Sequence, residues 1–183
     1  MIMNDTSMII KEKQGLQFWQ KPPHEWIKVN SDGAFSSHSG KAGIGVVVRN
    51  SDGEVLDAFG KSVVARDALM AEALVMREGA KLAVAANHEK VIFEVDSAIL
   101  FADVNNKDCS KIDWKIKAVV QDIHILVNSL QHKKFQLVNR GANLAADWFT
   151  KQSRLGMNSA DWRRHPPSFL VGIWNKDGVP APH

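Results

Sequence analysis

Four acidic residues stand where an acid is either costly or conspicuous: Asp32, Glu72, Asp96 and Asp147. Asp32 lies inside an extended stretch, Trp26-Ile-Lys-Val-Asn-Ser-Asp-Gly-Ala-Phe35, where a buried strand should be apolar. A charge there needs a partner charge or a metal to offset its burial. Glu72 interrupts the apolar stripe of a helix, Asp96 ends a short apolar strand, and Asp147 falls in the first turns of the last clear helix. Brought together, such acids repel: at ~4 Å and an effective dielectric of about 20, each pair costs up to ~4 kcal/mol. A fold tolerates that only if protons or divalent cations neutralise the cluster. An all-oxygen site selects Mg²⁺ or Mn²⁺ over zinc. Two such ions about 4 Å apart can activate a water and stabilise the leaving oxygen in phosphodiester cleavage.

Each acid also has an ordinary reading. Asp32 before Gly33 suits a turn, and Glu72 suits a buried ion pair with Arg49 or Lys61. Asp96 suits a helix cap, and Asp147 complements a helix dipole. Only their joint placement separates the two accounts, and that placement depends on the elements carrying them.

Pro22 and Pro23 mark an extended lead-in from Trp19, followed by a first strand from Ile27 to Phe35. Ala42-Gly-Ile-Gly-Val-Val-Val-Arg49 reads as a second strand, Asn50-Ser-Asp-Gly53 as a turn, and Glu54 to Val64 as a third strand, completing an antiparallel meander. Gly43 and Gly45 lead into no helix, so close backbone packing explains them better than a phosphate loop. Over residues 67–86, Leu69, Ala73, Met76, Gly79, Ala80 and Ala83 share one helical face, with Asp67, Arg77 and Lys81 opposite.

Lys90 to Asp96 is a short strand, expected to run parallel to the first through a right-handed crossover. Asp96 or Ser97 caps a helix to about Asn105. Asp113 to Leu130 forms another, with Ile116, Val119, Val120, Ile123, Val127 and Leu130 inward. Lys134 to Val138 is a fifth strand, and a last helix opens at Arg140 and stops near Leu155-Gly156. The expected fold is α/β: a mixed five-stranded sheet in the order βββαβααβα with helices on both faces. Residues 1–18 form an N-terminal extension without periodicity, expected to be partly disordered, and 19–155 the domain. Residues 156–183 form a tail with no strong element, packing back through Trp162, Phe169, Leu170 and Trp174.

With 183 residues, 45% apolar and 23% charged, the chain has the composition of one soluble globular domain. A net charge of +3 permits a polyanionic partner. The single cysteine, Cys109, excludes an internal disulfide framework and a multi-cysteine zinc site, and is expected to be inert. No signal-peptide core or membrane-length apolar run is seen. An intracellular protein of cytoplasm or nucleus, a monomer with no membrane partner, is expected.

Five motifs occur in one order: Val29-Asn-Ser-Asp-Gly-Ala-Phe35, Ala42-Gly-Ile-Gly45, Met70-Ala-Glu-Ala73, Glu94-Val-Asp-Ser97 and Arg140-x-x-Asn143-x-x-x-Asp147. Together they resemble the type-1 ribonuclease H domain. They look most like its plant, reverse-transcriptase-like branch, whose members also open with Trp-x-x-Pro-Pro and a Lys-Val-Asn strand. The resemblance covers residues 19–155. It implies hydrolysis of the RNA strand of an RNA–DNA hybrid, with two Mg²⁺ (or Mn²⁺) held by Asp32, Glu72, Asp96 and Asp147 as the catalytic set. It further implies that the backbone near Gly33 and Ala34 reads ribose hydroxyls, with Arg140 and Asn143 beside the substrate.

Two departures from the family accompany this. The histidine usually found ten residues before the final Asp is replaced by Leu137, which bears on turnover and not on metal binding; His132 lies at the other end of the strand. The long basic helix of some members is reduced to Asn106–Ile112. Lys107, Lys111, Lys115 and Lys117 with Trp114 then offer a phosphate and stacking surface, whose ordinary reading is a solvated helix start. Trp26 and Trp148 are expected in the core. The main alternative is a non-catalytic nucleic-acid-binding or protein-interaction module on the same fold, and a third reading is a DNA exonuclease or transposase-like nuclease.

Overall fold

The computed structural model describes residues 18–156, 162 and 165–178; of the extension expected over residues 1–18, all but Phe18 lies outside them. Five strands form one sheet: β1 (Ile27–Ser36), β2 (Lys41–Arg49), β3 (Val55–Val63), β4 (Lys90–Val95) and β5 (His132–Leu137). Their order is β3-β2-β1-β4-β5, with β1–β2 and β2–β3 antiparallel and β1–β4 and β4–β5 parallel. The helices are α1 (Ala68–Ala85), α2 (Ala98–Asn105), α3 (Lys117–Val127), α4 (Leu144–Arg154) and α5 (Ser168–Lys176). Short 3-10 turns at Cys109–Lys111 and Arg140–Asn143 precede α3 and α4. Among the described residues no helix is long and apolar enough to cross a membrane.

Strand alternation sorts the sheet into two faces. Ile27, Val29, Ile44, Val46, Val91 and Phe93 meet α1, α2 and α3 in the larger core, which takes in all six apolar residues expected on the inward face of α3. On the other face, Val47 and Ala58 meet Trp148 and Phe149 of α4 and Leu170 and Trp174 of α5. Helix α1 lies close because its sheet-facing residues are small: Ala73, Gly79, Ala80 and Ala83 are buried, and a Cβ on Gly79 would stand 2.7 Å from Val29.

Three expectations need correction. The tail is not without structure: Ser168–Lys176 is a helix whose Leu170, Ile173 and Trp174 recur at i, i+3 and i+4 and are buried, while Phe169, one residue off that stripe, is 69% exposed. The third helix is shorter than Asp113–Leu130, because Asp113 accepts from the Lys115 amide (2.9 Å) and holds residues 113–116 in a turn. Trp26 is only half-buried, with its ring 6.1 Å from that of His132 at the sheet edge. Trp148 is buried as expected.

A buried polar network beneath the α4 face had little signature in the sequence. Lys28 pairs with Glu94 (2.6 Å), and Asn30 donates to Glu94 (2.8 Å). Arg49 donates to Asn30 (3.2 Å) and to Asp177 just past α5 (2.7 Å), and its guanidinium stacks 3.6 Å from the Trp19 ring. Each charge is offset by a counter-charge, as burial demands. The lead-in and the C-terminal helix are thereby tied to the central strands.

Candidate active site

The parallel register places Asn30 against Glu94, so two residues further on Asp32 and Asp96 emerge beside one another at the same end of β1 and β4. Glu72 arrives from α1. Its approach depends on Gly33, where a Cβ would lie 2.6 Å from the Glu72 nitrogen and 2.5 Å from the Ala71 carbonyl carbon. Asp147 arrives from the opposite face on α4. That approach depends on Gly45, the cross-strand partner of Asp32, where a Cβ would meet the Thr150 nitrogen at 2.6 Å. Gly43 and Gly60 are covered by α4 in the same way, which agrees with the close-packing reading of the glycines in β2.

Asp32, Glu72 and Asp96 bring carboxylate oxygens within 4.8 Å of one another. Burial pushes Asp32 up to about 6; Asp96 and Asp147 add to the rise, while Thr150 and Arg140 oppose it. Burial, then Asp32 and Asp96, hold Glu72 well above the usual carboxylate range, and burial raises Asp96 too. The Glu72 Oε2 atom is buried without a hydrogen-bond partner. The ion-pair alternative for Glu72 does not hold: Arg49 pairs with Asp177, and Lys61 with Glu78.

Asp147 is close enough to raise both aspartates, yet it stands apart from the three-carboxylate group. One oxygen accepts from Arg140 Nη2 (3.2 Å) and the other from Lys151 Nζ (2.5 Å), so the two cations neutralise it locally. Lys151 carries a sequence signal, an acid followed by a lysine at i+4 on a helix. Thr150 had none, because its hydroxyl reaches across 118 positions to the Asp32 carbonyl (2.7 Å).

Arg140 is 73% exposed at its side chain and carries positive charge towards Asp32, Glu72 and Asp96 as well as Asp147. Asn143 is not available to a substrate. It is fully buried, donating to the Ser31 carbonyl (2.8 Å) and accepting from Asn30 (3.3 Å), and so pins the start of α4 to β1. Gly33 is buried and Ala34 half-buried. Trp114 is 76% exposed, Lys107 and Lys111 are exposed, and Lys115 reaches Asp67, the cap of α1, at 3.4 Å. This basic aromatic surface therefore adjoins the end of α1 that carries Glu72. Cys109 is exposed. Leu137, 41% exposed, ends β5 opposite Val95, the residue before Asp96, whereas His132 starts the strand opposite Lys90.

A mixed sheet in this order, with acids gathered at the ends of its two central parallel strands, is the ribonuclease H fold. Solved structures agree. The N-terminal RNase H domain of a Mycobacterium tuberculosis protein superposes with a TM-score of 0.66 at 19% identity, covering 72% of this chain and 94% of that one. RNase H1 of the archaeon Halobacterium salinarum gives 0.64 at 16%, covering 72% and 99%. An RNase H1 known as LC11, solved in complex with an RNA/DNA hybrid, gives 0.63 at 17%, covering 71% and 97%. The reverse transcriptase-like family model matches residues 30–153, and the chain belongs to that family. No curated protein matches the sequence.

Proposed function

We propose that the protein is a metal-dependent endonuclease that hydrolyses the RNA strand of RNA–DNA hybrids. The observation that carries this reading is the three-carboxylate group with its orphaned Glu72 oxygen. A carboxylate with one buried, unbonded oxygen, gathered within 4.8 Å of two other acids, is unfavourable alone and fits a hard divalent cation. The donor set, all carboxylate oxygen, suits Mg²⁺ or Mn²⁺, and family membership is consistent with that choice. Asp32, Glu72 and Asp96 would hold the ions, with Asp147 completing the set. Ions bound there supply positive charge to activate a water and to stabilise the leaving oxygen.

The remaining roles fall to the chain's own residues. Arg140 and Lys151, which pair with Asp147, would contact the substrate phosphate once Asp147 is otherwise engaged. Thr150 fixes the main chain at Asp32. Trp114 with Lys107, Lys111 and Lys115 offers the backbone surface beyond the site. A hybrid displays ribose hydroxyls in a wide minor groove, so recognition rests on shape and sugar with little sequence preference.

The test is cleavage of a labelled hybrid in Mg²⁺, in EDTA, and by Asp32→Asn, with single-stranded and duplex DNA alongside. Mg²⁺-dependent loss of the RNA strand alone, abolished by the substitution, is expected. Equal cleavage by the variant, or digestion of DNA in its place, sinks the proposal. Leu137 favours a second reading, a nucleic-acid-binding module without turnover; tight hybrid binding with no cleavage would establish it.

A further inference from the structure

Between α4 and α5 lies a cleft of about 660 Å³ lined by Asp147, Trp148, Lys151, Phe169, Ile173 and Lys176 among others. We propose that this cleft receives an unpaired nucleotide of the strand that runs on past the carboxylate site, its base stacking on Phe169. The inference rests on the hybrid-cleavage reading above and extends it to single-stranded tails flanking the hybrid.

Phe169 is the anomaly. It is 69% exposed on a helix whose Leu170, Ile173 and Trp174 are all buried, so packing of α5 does not account for it. It lines the cleft together with Trp148, whose ring packs edge-on against Phe149, with centroids 5.3 Å apart at 84°, and lies 4.9 Å from that of Trp162. Lys151, with its side chain 57% exposed, and exposed Lys176 line the same cleft and match the charge of a phosphate backbone. Its Asp147 wall belongs to the candidate site, so cleft and site are continuous. From Asp147 to Lys151 helix α4 rises about 6 Å, less than two base steps of a strand. Paired bases stack on one another and offer Phe169 no free face, whereas an unpaired base does, whatever its sequence.

The experiment measures binding by the full chain carrying Asp32→Asn, which keeps the substrate uncleaved. The probes are a blunt hybrid, and the same hybrid with its RNA strand extended at the 5′ or the 3′ end by unpaired nucleotides containing 2-aminopurine. One of the extensions is expected to tighten binding about fivefold or more and to quench the 2-aminopurine. Phe169→Ala and Lys176→Ala should remove that gain and leave blunt-hybrid affinity unchanged, while Phe169→Trp retains it. The proposal is overturned if neither extension adds affinity, or if the gain survives Phe169→Ala. It is also overturned if Phe169→Ala alters only the oligomeric state, which would make the cleft a protein contact. If no hybrid binds, the hybrid reading is what fails; a Phe169-dependent quench of the single-stranded probe alone then decides the cleft.

Discussion

Gly45 lies directly across the antiparallel ladder from Asp32, and α4 rests on it so closely that a Cβ there would meet the Thr150 nitrogen at 2.6 Å. Gly33, next to Asp32 on the strand, does the same for α1 on the opposite face. Two missing side chains thus let two helices down onto one aspartate, bringing Asp147 from one side and Glu72 from the other. Gly45→Ala or Gly33→Ala should therefore cost about 1–3 kcal/mol of stability. Hybrid cleavage should fall further than stability does. Urea denaturation and initial rates on the same samples compare the two losses; a variant with normal stability and rate would refute the account.

Asp32 is raised from 3.8 to about 6, so its ionisation opposes folding of the metal-free protein. The penalty is absent below about pH 4, grows as pH rises, and is complete above about pH 6. Its size is on the order of 3 kcal/mol. In EDTA, Asp32→Asn should be more stable than wild type at pH 7.5, with the advantage shrinking by pH 4.5. Denaturant midpoints at the two pH values measure it. An asparagine variant less stable than wild type at pH 7.5 would show that Asp32 has a stabilising partner in the apo state.

Arg140 holds Asp147 and faces the other three acids, which makes it a competitor of any cation entering the site. Arg140→Gln should bind Mn²⁺ more tightly by a factor of about 1.5–5, the range of an exposed ion pair. It should bind hybrid more weakly, because a phosphate contact is lost. Calorimetry with Mn²⁺ and anisotropy with hybrid give the two numbers, and they must move in opposite directions.

Leu137 ends β5 beside the strand that leads to Asp96. A histidine there would stand level with Val95, one residue before Asp96, and would supply a group able to carry a proton near neutral pH. Leu137→His should raise kcat about tenfold or more while leaving Mn²⁺ affinity unchanged. A change in metal affinity with no change in kcat would assign the position to the metal site.

Asp177 is the buried counter-charge of Arg49, whose side chain is wholly inaccessible. Asp177→Ala leaves that guanidinium without its counter-charge and should cost about 3–5 kcal/mol, loosening α5. Asp177→Ala paired with Arg49→Met should recover much of the loss. Thermal denaturation of the single and double variants decides between a charge effect and simple loss of packing.

Much of this arrangement was legible in the sequence because it is periodic. Strand alternation, the 3.6-residue stripes of α1 and α3, and the acids that break those stripes are local properties, and they located all five strands and Asp32, Glu72 and Asp96. The family resemblance, and no local property of the sequence, marked Leu137 as standing where a histidine is usual. What it left open depends on atoms far apart in the chain. The Lys28–Glu94–Asn30–Arg49–Asp177 network joins β1, β2, β4 and the end of α5, and nothing local shows which buried charge finds which partner. Whether Asn143 faces solvent or β1 turned on the docking of α4, and α4 could dock only where Gly45 and Gly43 lie opposite it. Periodicity shows which side of an element is buried; only packing decides what it is buried against, and so which carboxylates meet and which, like Asp147, are held by a neighbour's positive charge.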